Sequence, residues 1–148
     1  MIPVGVCELL ENDIDLNALS ITPDRIFELQ SLDSRPVQDG YCLVINWQES
    51  TLYSQTYTGM HNGIDRAPRV MQIHAHGCME QTRHYNMIDR ILNRVDTILT
   101  GVEHYIGTDN VRITCIRKSG RSGNLTDEGW RTVTRTAVYG VLYDESAA

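Results

Sequence analysis

The sequence predicts an α+β domain in which a mostly antiparallel sheet packs against one long helix. Between about residues 80 and 100, apolar residues recur at intervals of three and four, which lines one face of an α-helix. Several other segments alternate apolar and polar residues or are apolar throughout, as strands do. Because strands cluster and helices are few, the pattern favours α+β over alternating βαβ units. The apolar face of the helix consists of Ile88, Ile91, Leu92, Val95, Ile98 and Leu99.

The remaining elements follow from local composition. A short helix packed on the sheet is expected within residues 2–13, followed by a polar–apolar connector at 14–22. The predicted strands are 25–29, 41–47, 69–76, 111–117 and 130–143. The segment 41–47 is nearly all apolar, so we expect a central strand that is covered on both faces. Short connections between several strands favour antiparallel pairing. Two long polar loops are expected, at 49–67 and 118–129.

Length and composition bound the class of protein. A chain of 148 residues, 41% hydrophobic and 22% charged, is typical of one globular domain, here residues 1–148. No apolar run approaches the roughly 20 residues of a membrane helix, so no membrane association is expected. The net charge of −6 argues against nucleic-acid binding by phosphate neutralisation. An acidic wall would still let DNA slide past without sticking.

The cysteines do not form a recognisable framework. They are widely spaced, they include no CxxC pair, and each lies in or beside an apolar segment. We interpret them as reduced core residues of a cytosolic protein, because a free cysteine behaves as a small buried hydrophobe. The four residues are Cys7, Cys42, Cys78 and Cys115.

The sharpest chemical candidate is the cluster of His74, His76 and Cys78. Side chains alternate across a strand, so these three would share one face, and imidazole and thiolate are good zinc ligands. Glu80 or His84 could complete such a site. A structural zinc site usually takes paired ligands from two separate elements, and no second pair occurs. We therefore predict no metal and no other cofactor, and a small metal-binding protein remains an alternative.

No catalytic constellation accompanies the fold. Ser119 and Ser122 lie between glycines, but the segment lacks the Gly-Lys-Ser/Thr ending and the following helix of a phosphate-binding loop. No nucleophile stands beside a base, and no two carboxylates show suggestive spacing. The sequence therefore does not predict an enzyme.

Basic residues and tyrosines are the candidate contact residues. Three basic side chains at 117–121 form a positive patch in an acidic chain, and such patches commonly dock an acidic partner surface. Two arginines lie one turn apart on the long helix, and acidic groups of another subunit would relieve their repulsion. Two tyrosines lie on an extended arm at 51–58. The predicted interface residues are Arg117, Lys118, Arg121, Arg90, Arg94, Tyr53 and Tyr57.

The order of elements resembles a known family. A short N-terminal helix precedes Pro23-Asp24-Arg25-Ile26-Phe27, and the core strand 41–45 follows. After a long loop come the strand 69–76, the helix with 89–99, and a final strand at 130–143. Over most of the chain, this organisation resembles the tail terminator proteins of long-tailed, siphovirus-type bacteriophages. The long loop departs from the family's pattern.

The resemblance implies a structural virion protein with no catalytic residues. Six copies would form a ring that caps the tail tube, ends its polymerisation and joins it to the head–tail connector. The partners would be further copies of the chain, the major tail tube protein and the connector or neck protein. DNA would pass through the lumen without specific binding. The protein would be located in the tail or neck of the virion after assembly in the host cytoplasm. Another neck or tail component, such as a head-closure or tube protein, is the main alternative.

Overall fold

The computed structural model describes residues 2–28, 35–48, 68–82 and 84–144, which form an α+β fold dominated by its sheet. The predicted fold class is confirmed. The helices are α1 (Gly5–Glu11), α2 (Ile14–Ala18) and α3 (Asn86–Thr100), with a short 3-10 turn at Pro23–Arg25. The strands are β1 (Ile26–Glu28), β2 (Tyr41–Trp47), β3 (Arg69–Cys78), β4 (Tyr105–Ile106), β5 (Arg112–Arg121), β6 (Leu125–Asp127) and β7 (Thr132–Asp144).

The sheet is mostly antiparallel, as predicted. The strand order is β1-β2-β3-β7-β5-β4, with β6 beside β7. Each of the neighbouring pairs is antiparallel except β1 and β2, which run parallel. β2 lies between β1 and β3, and its residues Cys42 to Ile45 are buried, in keeping with its apolar sequence. The sheet is strongly curled.

The long helix α3 buries its apolar face against the sheet. Ile98 lies at the rim of the core and is only partly buried. The core cluster joins α3 to Leu43 and Ile45 of β2, as the periodicity predicts. The fully buried residues of the helix are Ile88, Ile91, Leu92, Val95 and Leu99.

The start of α3 differs from the prediction. The helix begins at Asn86 rather than near residue 80. Directly after β3, the backbone N–H of Met79 donates to the carbonyl of Arg131 at 3.0 Å, so the chain is still held beside the start of β7 at this point. A turn follows, in which the N–H of Thr82 donates to the carbonyl of Cys78 at 3.0 Å. The helix can begin only after this turn has ended β3.

Helix α1 connects the two outer strands of the curled sheet. On one side, the Cys7 thiol donates to Glu28 of β1, with 3.1 Å between Sγ and Oε2. On the other side, the hydroxyl of Tyr105 in β4 donates to Glu8 at 3.4 Å. A Cβ atom at Gly5 would lie 2.8 Å from the terminal side-chain carbon of Ile113, so any larger residue here would have to displace that side chain.

The predicted connector at 14–22 contains a helix that the sequence analysis missed. Asp13 caps α2, because its side chain accepts a hydrogen bond from the N–H of Leu16 at 2.8 Å. The helix is followed closely by Ser20, which has a positive φ of 74°. A five-residue helix has too short a periodic pattern to stand out from a connector.

The predicted loop at 118–129 is largely a β-structure, which corrects the sequence analysis. β5 continues to Arg121, and β6 pairs with the beginning of β7. Both strands pair with β7. Hydrogen bonds to β7 therefore satisfy the backbone N–H and carbonyl groups of a segment that has few apolar side chains. The short strand β4 was also not predicted. The predicted loop at 49–67 and its arm at 51–58 lie outside the described residues. Within the described part of the chain, no helix has the length and apolar character needed to span a membrane.

Candidate functional site

Two of the three residues in the predicted positive patch bind α3 of their own chain. Lys118 Nζ lies 2.9 Å from Asp96 Oδ2, and Arg121 Nη2 lies 2.5 Å from the same oxygen. Arg121 also donates to the side-chain oxygen of Asn93 at 2.9 Å. Lys118 and Arg121 therefore hold the helix on the sheet, while Arg117 is exposed.

An irregularity in β5 places Lys118 and Arg121 on the same face. In a regular strand, residues three positions apart point to opposite faces. The register with β7 shifts between Lys118 and Gly120, and an extra residue of this kind reverses the alternation. In the shifted register, Lys118 lies opposite Tyr139 and Arg121 lies opposite Ala137. Tyr139 and Ala137 both belong to the core under α3, so the two basic residues are on the face of the sheet that carries the helix.

Asp96 is the acidic centre of this contact. Burial alone would raise its pKa, but hydrogen bonds from Tyr139 and Lys118 and the charge of Arg121 lower the pKa below its ordinary value. The Tyr139 hydroxyl donates to Asp96 Oδ1, and burial together with the carboxylate raises the pKa of Tyr139. Asp96 therefore stays ionised and accepts hydrogen bonds from three side chains.

A second ion pair ties the first half of α3 to β7. Arg135 of β7 binds Asp89 of α3. The same guanidinium donates to the carbonyl of Ser122 at 3.0 Å and 2.9 Å, just after β5. α3, β5 and β7 are thus held together by polar contacts around the edge of the apolar core.

Arg94 also has its partners within the chain. It makes a two-point contact with Asp13, with distances of 2.9 Å and 2.8 Å, and lies 3.4 Å from Asp15. The hydrogen bond from Arg94 lowers the pKa of Asp13. The acidic groups near Arg94 therefore belong to α2 and its cap. The sequence predicts that acidic groups of another subunit relieve the repulsion between Arg90 and Arg94. For Arg94 these groups lie in the same chain, so the prediction now concerns Arg90 alone.

The predicted interface residues fall into three groups. Arg90 and Arg117 are exposed, and neither makes an ion pair with any residue that the structure describes. Arg94, Lys118 and Arg121 are already engaged by acidic groups of the same chain. The last group lies outside the described residues and consists of Tyr53 and Tyr57.

The histidine cluster lies on the sheet face away from α3. Ala75 faces the core, so His74 and His76 face the other way. His74 Nδ1 lies 2.7 Å from the Thr136 hydroxyl, and His76 Nδ1 lies 2.8 Å from the Thr132 hydroxyl. The two imidazole rings are 6.3 Å apart. Both rings are thus fixed by threonines of β7.

Burial favours the neutral form of both histidines. His76 is only 7% exposed, and desolvation, together with the nearby His74, lowers its pKa to about 4. Desolvation also lowers the pKa of His74. Neutral imidazoles can ligate metals. The third member of the predicted cluster, Cys78, is a buried free thiol whose pKa is raised by burial.

The described residues do not assemble a metal centre around these histidines. Across those residues, no group of three or more histidine, cysteine, aspartate or glutamate side chains could hold a metal ion. The four cysteines are free thiols, and Cys42 and Cys78 are buried, as expected of core residues. Cys7 and Cys115 are only partly buried, which corrects the prediction for these two. Burial raises the pKa of Cys42 to about 12, so this thiol is not a ready thiolate ligand.

Comparisons with known proteins add no relative. No family model, no curated protein and no solved structure matches the chain. The surface chemistry described above therefore has to be interpreted from this chain alone.

Proposed function

We propose that this chain is a structural subunit of a phage tail, which assembles with copies of itself into a ring at the end of the tail tube. The ring would end tube polymerisation and join the tube to the head–tail connector. The observation that carries the proposal is the order of elements. A short helix, a buried strand, a long strand and one long amphipathic helix occur in this order with shorter elements between them, and a long strand is the last element, in keeping with the family resemblance. On this proposal the protein resides in the tail or neck of the virion.

The distribution of charge supports assembly between copies. The chain carries a formal charge of −6, so identical copies repel one another unless cations lie at their contacts. Arg90 and Arg117 are exposed cations without an acidic partner among the described residues. Each would lie opposite acidic groups of a neighbouring copy. Such pairs favour encounter and correct register more than raw affinity.

The same charge suits a passage for DNA. Six copies at −6 each would carry −36 formal charges. An acidic lumen does not bind phosphates, so DNA could move through it without sticking. The proposal therefore includes no specific contact with nucleic acid.

A variant pair tests the proposed contact. Arg90→Glu combined with Arg117→Glu should leave the monomer folded, because neither side chain contributes to the described core. Ring formation, measured by analytical ultracentrifugation and negative-stain imaging, should weaken. The matched control for each of the two single substitutions is Arg131→Glu, which makes the same change in charge at an exposed side chain whose Nε lies 3.9 Å from Glu80. Equal effects of Arg131→Glu, Arg90→Glu and Arg117→Glu would show that total charge matters rather than these two positions.

A second experiment tests the function itself. Purified protein should form rings by itself or on the ends of tail tubes, and it should never form long filaments. Filaments would identify the chain as a tube protein. In a phage that lacks this gene, the wild-type chain should restore tails of normal length joined to heads. Overlong or headless tails in the presence of wild-type chain would overturn the proposal.

A further inference from the structure

A polar layer between β3 and β7 is closed at one end by Trp130. The Trp130 ring lies 4.9 Å from the ring of His76, with the planes tilted by 49°. His76 is directly opposite Thr134 on β7, and the Thr134 hydroxyl is buried without a hydrogen-bond partner. This layer therefore contains two imidazoles and several hydroxyls, and its residues His76, Thr132 and Thr134 are buried.

The ionisable groups around His76 offer little compensation for a positive charge. On β2, Cys42 pairs with His76, and its thiol stays neutral. On β3, the neighbours are His74 and the buried thiol of Cys78. The facing residues of β7 are threonines. Asp127 of β6 is the carboxylate that acts on His76, and it also accepts a hydrogen bond from the backbone N–H of Trp130.

We propose that this layer is an acid-sensitive switch, in which protonation of His76 opens the Trp130 end of the sheet while the core under α3 stays packed. A charged imidazole needs water, and water can reach His76 once Trp130 has moved. Protonation of His74 would add a second positive charge to a ring whose centre is 6.3 Å away. The core on the other face contains no histidine among its described residues, so acid in this range does not act on it directly.

The part that opens is defined by its few attachments. β6 has three residues and, among the strands that the structure describes, pairs with β7 alone. Beyond that pairing, the Tyr85 hydroxyl donates to the carbonyl of Leu125 at 2.7 Å. Arg35 donates to the carbonyl of Trp130 at 3.3 Å, and the backbone of Met79 donates to Arg131. Among these residues, Tyr85 is the N-cap of α3, but it contacts β6 only through its side-chain hydroxyl. The contacts can therefore be lost without breaking a backbone hydrogen bond of that helix.

The direction of the effect follows from linkage. The folded state lowers the pKa of His76 from 6.5 to about 4, so the neutral ring favours the closed state. The closed state is at its full stability above pH 6.5 and loses it as the pH falls toward about 4. With one proton taken up on opening, the opening equilibrium should rise by up to about tenfold per pH unit in this window. This inference does not depend on the proposed function.

The test uses Trp130 as the reporter. In a Trp47→Phe chain, Trp130 is the one remaining tryptophan, because the sequence contains two. Its emission should shift to the red between pH 6.5 and 4, while far-UV circular dichroism keeps the signal of α3. His76→Asn retains a side-chain nitrogen that can reach Thr132 but cannot be protonated in this range, so the shift should disappear. The exposed His104→Asn should leave it unchanged.

Three outcomes would overturn the proposal. The first is the absence of the red shift in the Trp47→Phe chain, and the second is its persistence, unchanged, in His76→Asn. Loss of the helical signal at the same pH would show global unfolding rather than local opening. If His76→Asn does not fold, hydrogen exchange of the unsubstituted chain decides the matter. After correction for intrinsic rates, amides at 125–131 should lose protection in acid, and amides of α3 should keep theirs.

Discussion

The hydroxyl of Tyr139 donates a hydrogen bond to Asp96, which links the centre of β7 to the polar edge of α3. Tyr139 is fully buried, and its ring belongs to the apolar core. Its hydroxyl therefore needs a partner, and Asp96 provides one. Lys118 and Arg121 bind the same carboxylate, so one acidic side chain connects the helix with two strands. This contact explains why basic residues beside a predicted loop do not form a free surface patch.

Asp96→Asn should destabilise the fold. The substitution removes the negative charge to which Lys118, Arg121 and the Tyr139 hydroxyl bind. Hydrogen bonds to charged groups contribute about 1.5–3 kcal/mol to the free energy of unfolding. Urea denaturation should show a loss in that range. Asp15→Asn is the matched control, because Asp15 is 72% exposed and lies 3.4 Å from Arg94. Its effect should be within about 1 kcal/mol. Equal losses in the two variants would contradict the central role of Asp96.

Leu92→Ala should remove part of the core under α3. Leu92 is fully buried and packs in the cluster that contains Leu43 and Ile45. Such a change costs about 2–5 kcal/mol, because the cavity left behind closes only partly. The free energy of unfolding is the quantity to measure. Thr97→Ala on the exposed side of the same helix should change it little. An unchanged stability in Leu92→Ala would mean that the helix does not pack as described.

Gly5→Ala should strain the contact between α1 and the outer strands. The new Cβ would lie 2.8 Å from Ile113 Cδ1 and 3.2 Å from the Tyr105 ring. Overpacking of this kind costs about 1–3 kcal/mol. Ile113→Val removes the atom that clashes, so the double variant should recover part of the loss in thermal unfolding. Gly123→Ala is the control, since nothing lies within 4 Å of its Cβ position. A neutral Gly5→Ala would show that α1 is free to shift.

The protein should bind no stoichiometric zinc. The expectation rests on the absence of a second ligand pair in the sequence and on the threonine contacts of His74 and His76. Elemental analysis of the purified chain measures the number of zinc ions per chain directly. About one zinc per chain that disappears in His74→Ala would refute the prediction and revive the metal-binding alternative.

The sequence alone determined the elements whose signal is local. The stripe from Ile88 to Leu99 predicts α3 because its apolar residues repeat at the helical period over several turns. The apolar run from Tyr41 to Trp47 gives the bounds of β2 for a similar reason. The mostly antiparallel α+β class follows from these elements and their short connections. The histidine positions on a shared strand face were also predictable, because strand side chains alternate.

Only the tertiary structure decided how polar side chains are paired. A shift in the pairing of β5 with β7 turns Lys118 and Arg121 toward Asp96, and no pattern within residues 117–121 reports that shift. Arg94 contacts Asp13, which is far away in the sequence and caps a helix too short to be recognised. Hydrophobic periodicity is a local property of the chain. The partner of a charge depends on which distant segment folding brings within about 4 Å.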